Sequence, residues 1–197
     1  MKKLIVTFLF IVFAFSISNG QFTKIGGGLA LSSGFPFHNM EWDYNKSGKI
    51  AAYAKGIYEI SVPLHISPSF TIFYPHITKE EFSKTSVSTM MLDINGHYVF
   101  NSLDKFEFYG LAGFNILLAK KKEKYLGQEE SSLDPVIERD NALGLNLGVG
   151  TYMKITEQFD LSGEAKYIFN NKYNQFMLNV GILINLDWLK KNENTGI

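Results

Sequence analysis

His65 and Ser67 stand two residues apart, and on a β-strand that spacing would place both side chains on one face. An H-x-S pair has the parts for deacylating a lipid ester, with the histidine as base and the serine as nucleophile. No acid lies nearby to orient the histidine, and Pro63 and Pro68 bracket the pair, so the sequence favours a turn there. The remaining histidines, His38, His76 and His97, are dispersed and share no metal-ligand spacing. Gly26, Gly27 and Gly28 lack the lysine and following helix of a phosphate loop, and fit a strand bend or a close-packed backbone. Glu59 and Glu164 read as members of a polar network rather than as a paired acid and base. The sequence thus implies no catalytic residue, no metal site and no cofactor.

The elements that carry these residues begin after an export segment. Lys2 and Lys3 precede an apolar run from Leu4 to Ile17, and Ser18, Asn19 and Gly20 follow it. A positive start, an apolar middle and small residues make a signal peptide, expected over residues 1–20 with Gln21 as the first mature residue. The run falls short of the roughly 20 apolar residues that a membrane-spanning helix needs. The chain has no cysteine, so no lipid anchor is expected at the processing point. Losing Lys2 and Lys3 from 19 basic residues leaves 17 against 19 acidic ones, a formal charge of about −2. That balance offers no basic surface for nucleic acid. About 177 residues follow, enough for one domain, with no second long apolar run.

Period-two alternation dominates the mature chain and sends successive side chains to opposite faces of a sheet. Leu143, Leu145, Leu147 and Val149 alternate with Gly144, Asn146, Gly148 and Gly150. Phe159, Leu161, Gly163, Ala165, Tyr167 and Phe169 alternate with Asp160, Ser162, Glu164, Lys166 and Asn170. In the last run, Phe176, Leu178, Val180, Ile182, Ile184 and Leu186 are set against Asn179, Gly181, Asn185 and Asp187. Met90 to Phe100 and Phe106 to Leu117 follow the same rule. Thr23 to Leu31, Ala51 to Val62 and Ser69 to Tyr74 bring the count to eight strands.

Alternation is shared by membrane barrels and by soluble ligand-binding barrels of the lipocalin kind, and the connections separate the two. Links after the first, third and fifth strands run to roughly 16, 12 and 22 residues, and those after the second, fourth and sixth to about five, as outer-membrane barrels arrange extracellular loops and periplasmic turns. Aromatic residues fall where membrane interfaces are expected: Phe100, Phe106, Phe159 and Trp188 at periplasmic ends, and Tyr74, Phe169, Tyr173 and Phe176 at extracellular ends. A sheet in lipid has to close, because an open edge would leave backbone groups without partners, so the first strand is expected to pair with the eighth.

On these residues the chain resembles the small outer-membrane β-barrel domain family, the OmpA-like and OmpX-like eight-stranded barrels. The resemblance spans residues 22 to 188 and rests on the signal peptide, the glycine-bearing amphipathic strands and the final strand from Gln175 to Trp188. Many members end on an aromatic residue in the last strand, a part that Trp188 plays here, although a polar tail, residues 189–197, follows it. The implied fold is all-β, an eight-stranded antiparallel up-and-down transmembrane barrel over residues 21–188. Its partners would be outer-membrane lipid and lipopolysaccharide, the barrel-assembly machinery, and an extracellular or envelope protein.

Eight strands leave a lumen that side chains fill. Lys24, Lys55, Glu59, Asp93, His97, Glu107, Glu164, Lys166 and Asp187 are expected to form its network, because paired charges tolerate burial and unpaired ones do not. Function is then expected in the loops: Ser33 to Gly48, with Phe35, Phe37, Trp42 and Tyr44, and Ala119 to Asp140, which opens on Lys120, Lys121, Lys122 and Lys124 and turns acidic. Solvated loops whose lysines meet lipopolysaccharide phosphates are the expectation there. The readings carried forward are a structural, adhesion or interaction barrel, a narrow channel, and a soluble periplasmic ligand binder; a lipid-modifying enzyme is the residual one.

Overall fold

A computed structural model describes residues 22–33, 49–79, 81, 83–125, 135–170 and 174–188. The expected signal peptide, the aromatic part of the first long loop, Tyr173 and the C-terminal tail lie outside these residues. Among the described residues nine strands follow one another: β1 (Phe22–Ser32), β2 (Ile50–Ser61), β3 (Leu64–Phe73), β4 (His76–Lys79), β5 (Ser83–Leu103), β6 (Phe106–Tyr125), β7 (Val136–Lys154), β8 (Phe159–Asn170) and β9 (Gln175–Asn185).

Every pairing is antiparallel, and the sheet closes into one ring. β1 pairs with β9 from Lys24↔Asn185 to Ser32↔Met177, and β3 pairs with β5 from Leu64↔Tyr98 to Ile72↔Met90. β4 continues along the same edge of β5, from His76↔Val87 to Lys79↔Lys84, so β3 and β4 form one stave interrupted at Tyr74 and Pro75. Nine strands therefore make an eight-stave barrel, with first and last joined as the lipid argument requires.

Burial follows the alternation. In β9 the pattern from Gln175 is strictly buried then exposed, and Phe176, Leu178, Val180 and Ile182 point out while Met177, Asn179 and Gly181 point in. The outer surface is a continuous apolar belt that includes Leu29, Ile72, Ile94, Phe114, Leu147 and Val180, all exposed. Buried polar residues, among them Lys55, Asp93, His97, Asn146 and Lys166, face inward. A soluble ligand-binding barrel needs the reverse arrangement. Small inward residues make room for large ones: a Cβ on Gly150 would collide with the Tyr109 ring, and one on Gly181 with the Tyr53 hydroxyl.

Two expectations about boundaries change. The strand after the second turn starts at Leu64, not Ser69, because the turn is only Val62 and Pro63. The stretch from Ala119 to Asp140 is strand at both ends, over 119–125 and 136–140: Lys120 pairs with Arg139, Lys121 with Glu138 and Lys122 with Ile137. β8 ends at Asn170, opposite Gly144, so β7 and the strands behind it rise beyond the ring as a projecting four-stranded sheet, β4-β5-β6-β7.

Candidate functional site

The lumen is built from the inward positions of all eight staves and divides into layers. At the short-turn end Lys24 Nζ lies 2.7 Å from Asp160 Oδ2 and 3.7 Å from Glu107 Oε2. Next comes an aromatic layer, where Tyr109 stacks on Tyr152 at 4.5 Å and on His97 at 4.3 Å. His97 Nδ1 shares a 2.7 Å hydrogen bond with the Tyr152 hydroxyl.

Glu164 is the hub of the middle layer. Lys55 Nζ donates to its Oε2 at 3.3 Å, the Tyr109 hydroxyl to the same oxygen at 3.2 Å, and Asn179 Nδ2 to Oε1 at 3.0 Å. Lys166 stands 3.8 Å from Glu164 and donates to Asp93 Oδ2 at 2.9 Å. Asp93 also accepts from the Ser69 hydroxyl at 3.1 Å and from Asn146 Nδ2 at 2.9 Å. Asn146 reaches Asn95 as well and accepts from Asn115. Buried charges on this scale are tolerated because each has a partner of opposite sign and further hydrogen bonds. Towards the long-loop end the lumen turns apolar, packed with Tyr53, Phe73, Met91, Leu117, Ile168 and Met177.

The structure thus brings Lys55, Asp93, Glu164 and Lys166 into one network, with His97 in the aromatic layer below and Lys24 and Glu107 at the short-turn mouth. Glu59 is half-buried and faces His65 across β2 and β3. Asp187 departs from the expected set: β9 ends at Asn185 and residues 186–188 make a helical turn, so alternation no longer aims it inward and it is exposed. Tyr53, Tyr109, Tyr152, Asn95, Asn115, Asn146, Asn179 and Asp160 were absent from the sequence-based set. Strand parity was the signal that could have found them: Asn95 shares it with Asp93, Tyr109 and Asn115 with Glu107, Asp160 with Glu164 and Tyr53 with Lys55, while Asn146, Tyr152 and Asn179 alternate with the outward apolar residues of β7 and β9.

His65 and Ser67 both face the lumen on β3, away from the outer surface where a lipid ester would lie. Among the described residues no three His, Asp or Glu side chains converge in a way that could hold a metal. Of the aromatic set, Tyr74, Phe100, Phe106, Phe159, Phe169 and Phe176 are exposed on the outer surface, and Trp188 is half-buried in the C-terminal turn.

The projecting sheet separates charge by face. Residues paired directly opposite share a face, so Lys79, Lys84 and Lys124 form one row, and Lys120 and Arg139 another, with Lys122 between them. All six lie on the outward side, in line with the apolar belt. The strand acids Glu123, Glu138 and Asp140 take inward positions, where Lys121 stands 3.5 Å from Glu123 and 3.9 Å from Glu138. No outward position of these four strands carries an acid among the described residues.

Comparisons with known proteins agree with this architecture. A family model described as outer membrane protein beta-barrel domain matches residues 4–186. Among curated proteins, no sequence matches significantly. The attachment invasion locus protein Ail of Yersinia pestis, solved in complex with the heparin analogue sucrose octasulfate, superposes with a TM-score of 0.57 at 16% identity, over 83% of this chain and 97% of that one. The N-terminal β-barrel domain of Pseudomonas aeruginosa OprF gives 0.53 at 12% identity, over 84% and 97%. Neisserial surface protein A gives 0.53 at 15% identity, over 83% and 96%. At these identities the likeness establishes the fold.

Proposed function

The chain belongs to the outer membrane protein beta-barrel domain family, and from that premise we propose that it is a sealed interaction barrel whose projecting sheet engages polyanionic partners at the cell surface. In this reading residues 1–20 are removed on export from the cytoplasm of a Gram-negative cell, and residues 21–188 form the inserted barrel. The long-loop end faces outward and the turns at Val62, Asp104 and Ile155 face the periplasm. The lumenal network of Lys55, Asp93, Glu164 and Lys166 holds the staves together, and the exposed aromatic residues sit at the two interfaces.

One observation carries the proposal: among the described residues, six cations and no acid stand on the outward strand positions of a sheet that rises beyond the ring. Their fields add, because adjacent strands are only about 4.8 Å apart and the acids are turned to the other face. A rim that merely needed solubility would mix both signs. The sulfated ligand recorded for Ail belongs to that protein; the support here is the charge of this chain's own face.

The test is retention on immobilised heparin, a generic polyanion, by folded protein in a neutral detergent. Intact protein should elute only with added salt, since exposed charges are screened at a Debye length of about 8 Å at 0.15 M. A variant in which residues 120–139 are replaced by a short turn should still fold, shown by its mobility shift on heating, and should flow through. Equal retention of the two proteins would reject the projecting sheet as the binding element.

A further inference from the structure

His65 and His97 are far apart in the sequence, yet the β3–β5 ladder sets them on one rung, and both side chains face the lumen. His65 is 9% exposed and His97 is fully buried. Each ring holds one buried nitrogen without a hydrogen-bond partner, Nδ1 in His65 and Nε2 in His97. Such a nitrogen costs desolvation that no group of the chain offsets. Two of them on one rung point to a ligand between the staves.

The surroundings select its charge. Tyr109 stacks on the His97 ring at 4.3 Å and the Tyr152 hydroxyl meets its Nδ1 at 2.7 Å, so the ring is fixed and Nε2 is the nitrogen left to act. Glu59 stands opposite His65 on β2, half-buried, and makes no ion pair among the described residues. Lys24 is engaged by Asp160 and Glu107, and Lys154 lies exposed at the rim on the rung of Asp160. The row Glu59, His65, His97 across β2, β3 and β5 therefore offers two imidazoles and one unpaired carboxylate. An anion would be repelled by Glu59, and water would leave its charge unbalanced. A cation answers both, and imidazole favours a transition ion over calcium or magnesium, which take oxygen ligands.

We infer that His65 Nδ1 and His97 Nε2 hold a divalent transition ion of the zinc type at the short-turn end of the lumen. Directly opposed residues start about 4.5–5.5 Å apart at Cβ, a gap that two imidazoles close around one ion with bonds of about 2.0–2.1 Å. No third His, Asp or Glu of the described residues converges on the pair, so water completes the coordination and Glu59 balances charge from the neighbouring strand. The Tyr152 hydroxyl accepts the proton of His97 Nδ1, the outer partner that a ligating histidine ordinarily has. The ion clips β3 to β5 near the turn at Val62 and Pro63. This site is independent of the polyanion reading, which concerns the opposite end of the barrel.

The experiment titrates zinc into folded protein without a histidine tag in a neutral detergent, followed by calorimetry, with cobalt as the spectroscopic probe. Wild type should bind about one zinc per chain, and cobalt should give the visible bands of a four-coordinate site. His65→Gln and His97→Gln should each weaken zinc binding by about tenfold or more and erase those bands. His76→Gln, on the projecting sheet, should change neither. Tyr152→Phe keeps both ligands and should weaken zinc about tenfold, as loss of an outer partner does. Zinc should also raise the temperature at which the folded gel band is lost, since it binds the folded state. No zinc on wild type overturns the site, and so does binding that survives both His65→Gln and His97→Gln. Calcium bound as tightly as zinc would assign the ion to carboxylates and overturn it too. If His97→Gln lacks the heat-dependent mobility shift, His65→Gln and His65→Ala, at the end of β3, decide the matter.

Discussion

Glu164 meets two ammonium groups, a phenol and an amide inside a space closed to bulk water. Its charge is tolerable only because Lys55 and Lys166 are there, and theirs only because Glu164 and Asp93 are. Glu164→Gln keeps the shape and the acceptor for Asn179 and removes the charge, leaving Lys55 buried without its carboxylate beside the faces of Tyr53 and Tyr152. Removing one partner of a buried pair typically costs about 3–5 kcal/mol, and the expected loss here is about 3 kcal/mol, because Lys166 retains Asp93. Urea unfolding in phosphatidylcholine vesicles measures it; an unchanged midpoint would show that the network contributes nothing net to stability.

At the scale of elements, each strand carries two programmes, an outward one for lipid and an inward one for its neighbours across the lumen. Leu147 is exposed between Ala112 and Tyr167 in register, within the apolar belt. Leu147→Lys should destabilise the barrel by about 2–4 kcal/mol if that level is the bilayer midplane, whereas Leu147→Ala should cost far less. Vesicle unfolding compares the two, and equal effects would mean that this face does not meet hydrocarbon. The alternation that sets Leu147 outward was plain in the sequence because both faces of β7, β8 and β9 have one-sided chemistry. It was not plain in β3, where Ser67 and Pro68 resemble a turn and the ladder to β5 holds them extended instead. Nor was it plain in the projecting hairpin, where charges fall on both faces: Lys120, Lys121 and Lys122 read as a loop until the pairing with Arg139, Glu138 and Ile137 sorts them. Tertiary pairing supplied what local composition lacked.

For the whole molecule, closure of β1 on β9 fixes an eight-stave ring, and an eight-stave ring has an interior that side chains fill. A water path would have to cross two unlike barriers in series. The first is the charged layer, where Lys55, Glu164, Lys166 and Asp93 span the lumen from strands β2, β5 and β8. The second is the apolar packing of Phe73, Met91, Leu117, Ile168 and Met177 nearer the long-loop end, each at most 1% exposed. Series barriers do not yield singly: neutralising Glu164 would loosen the first and leave the second dry. Planar bilayers holding the folded protein in 1 M KCl should therefore show no discrete steps, for wild type and for Glu164→Gln alike. Regular unitary steps from wild type would mean that the two layers part together, and the interaction reading would give way to a channel.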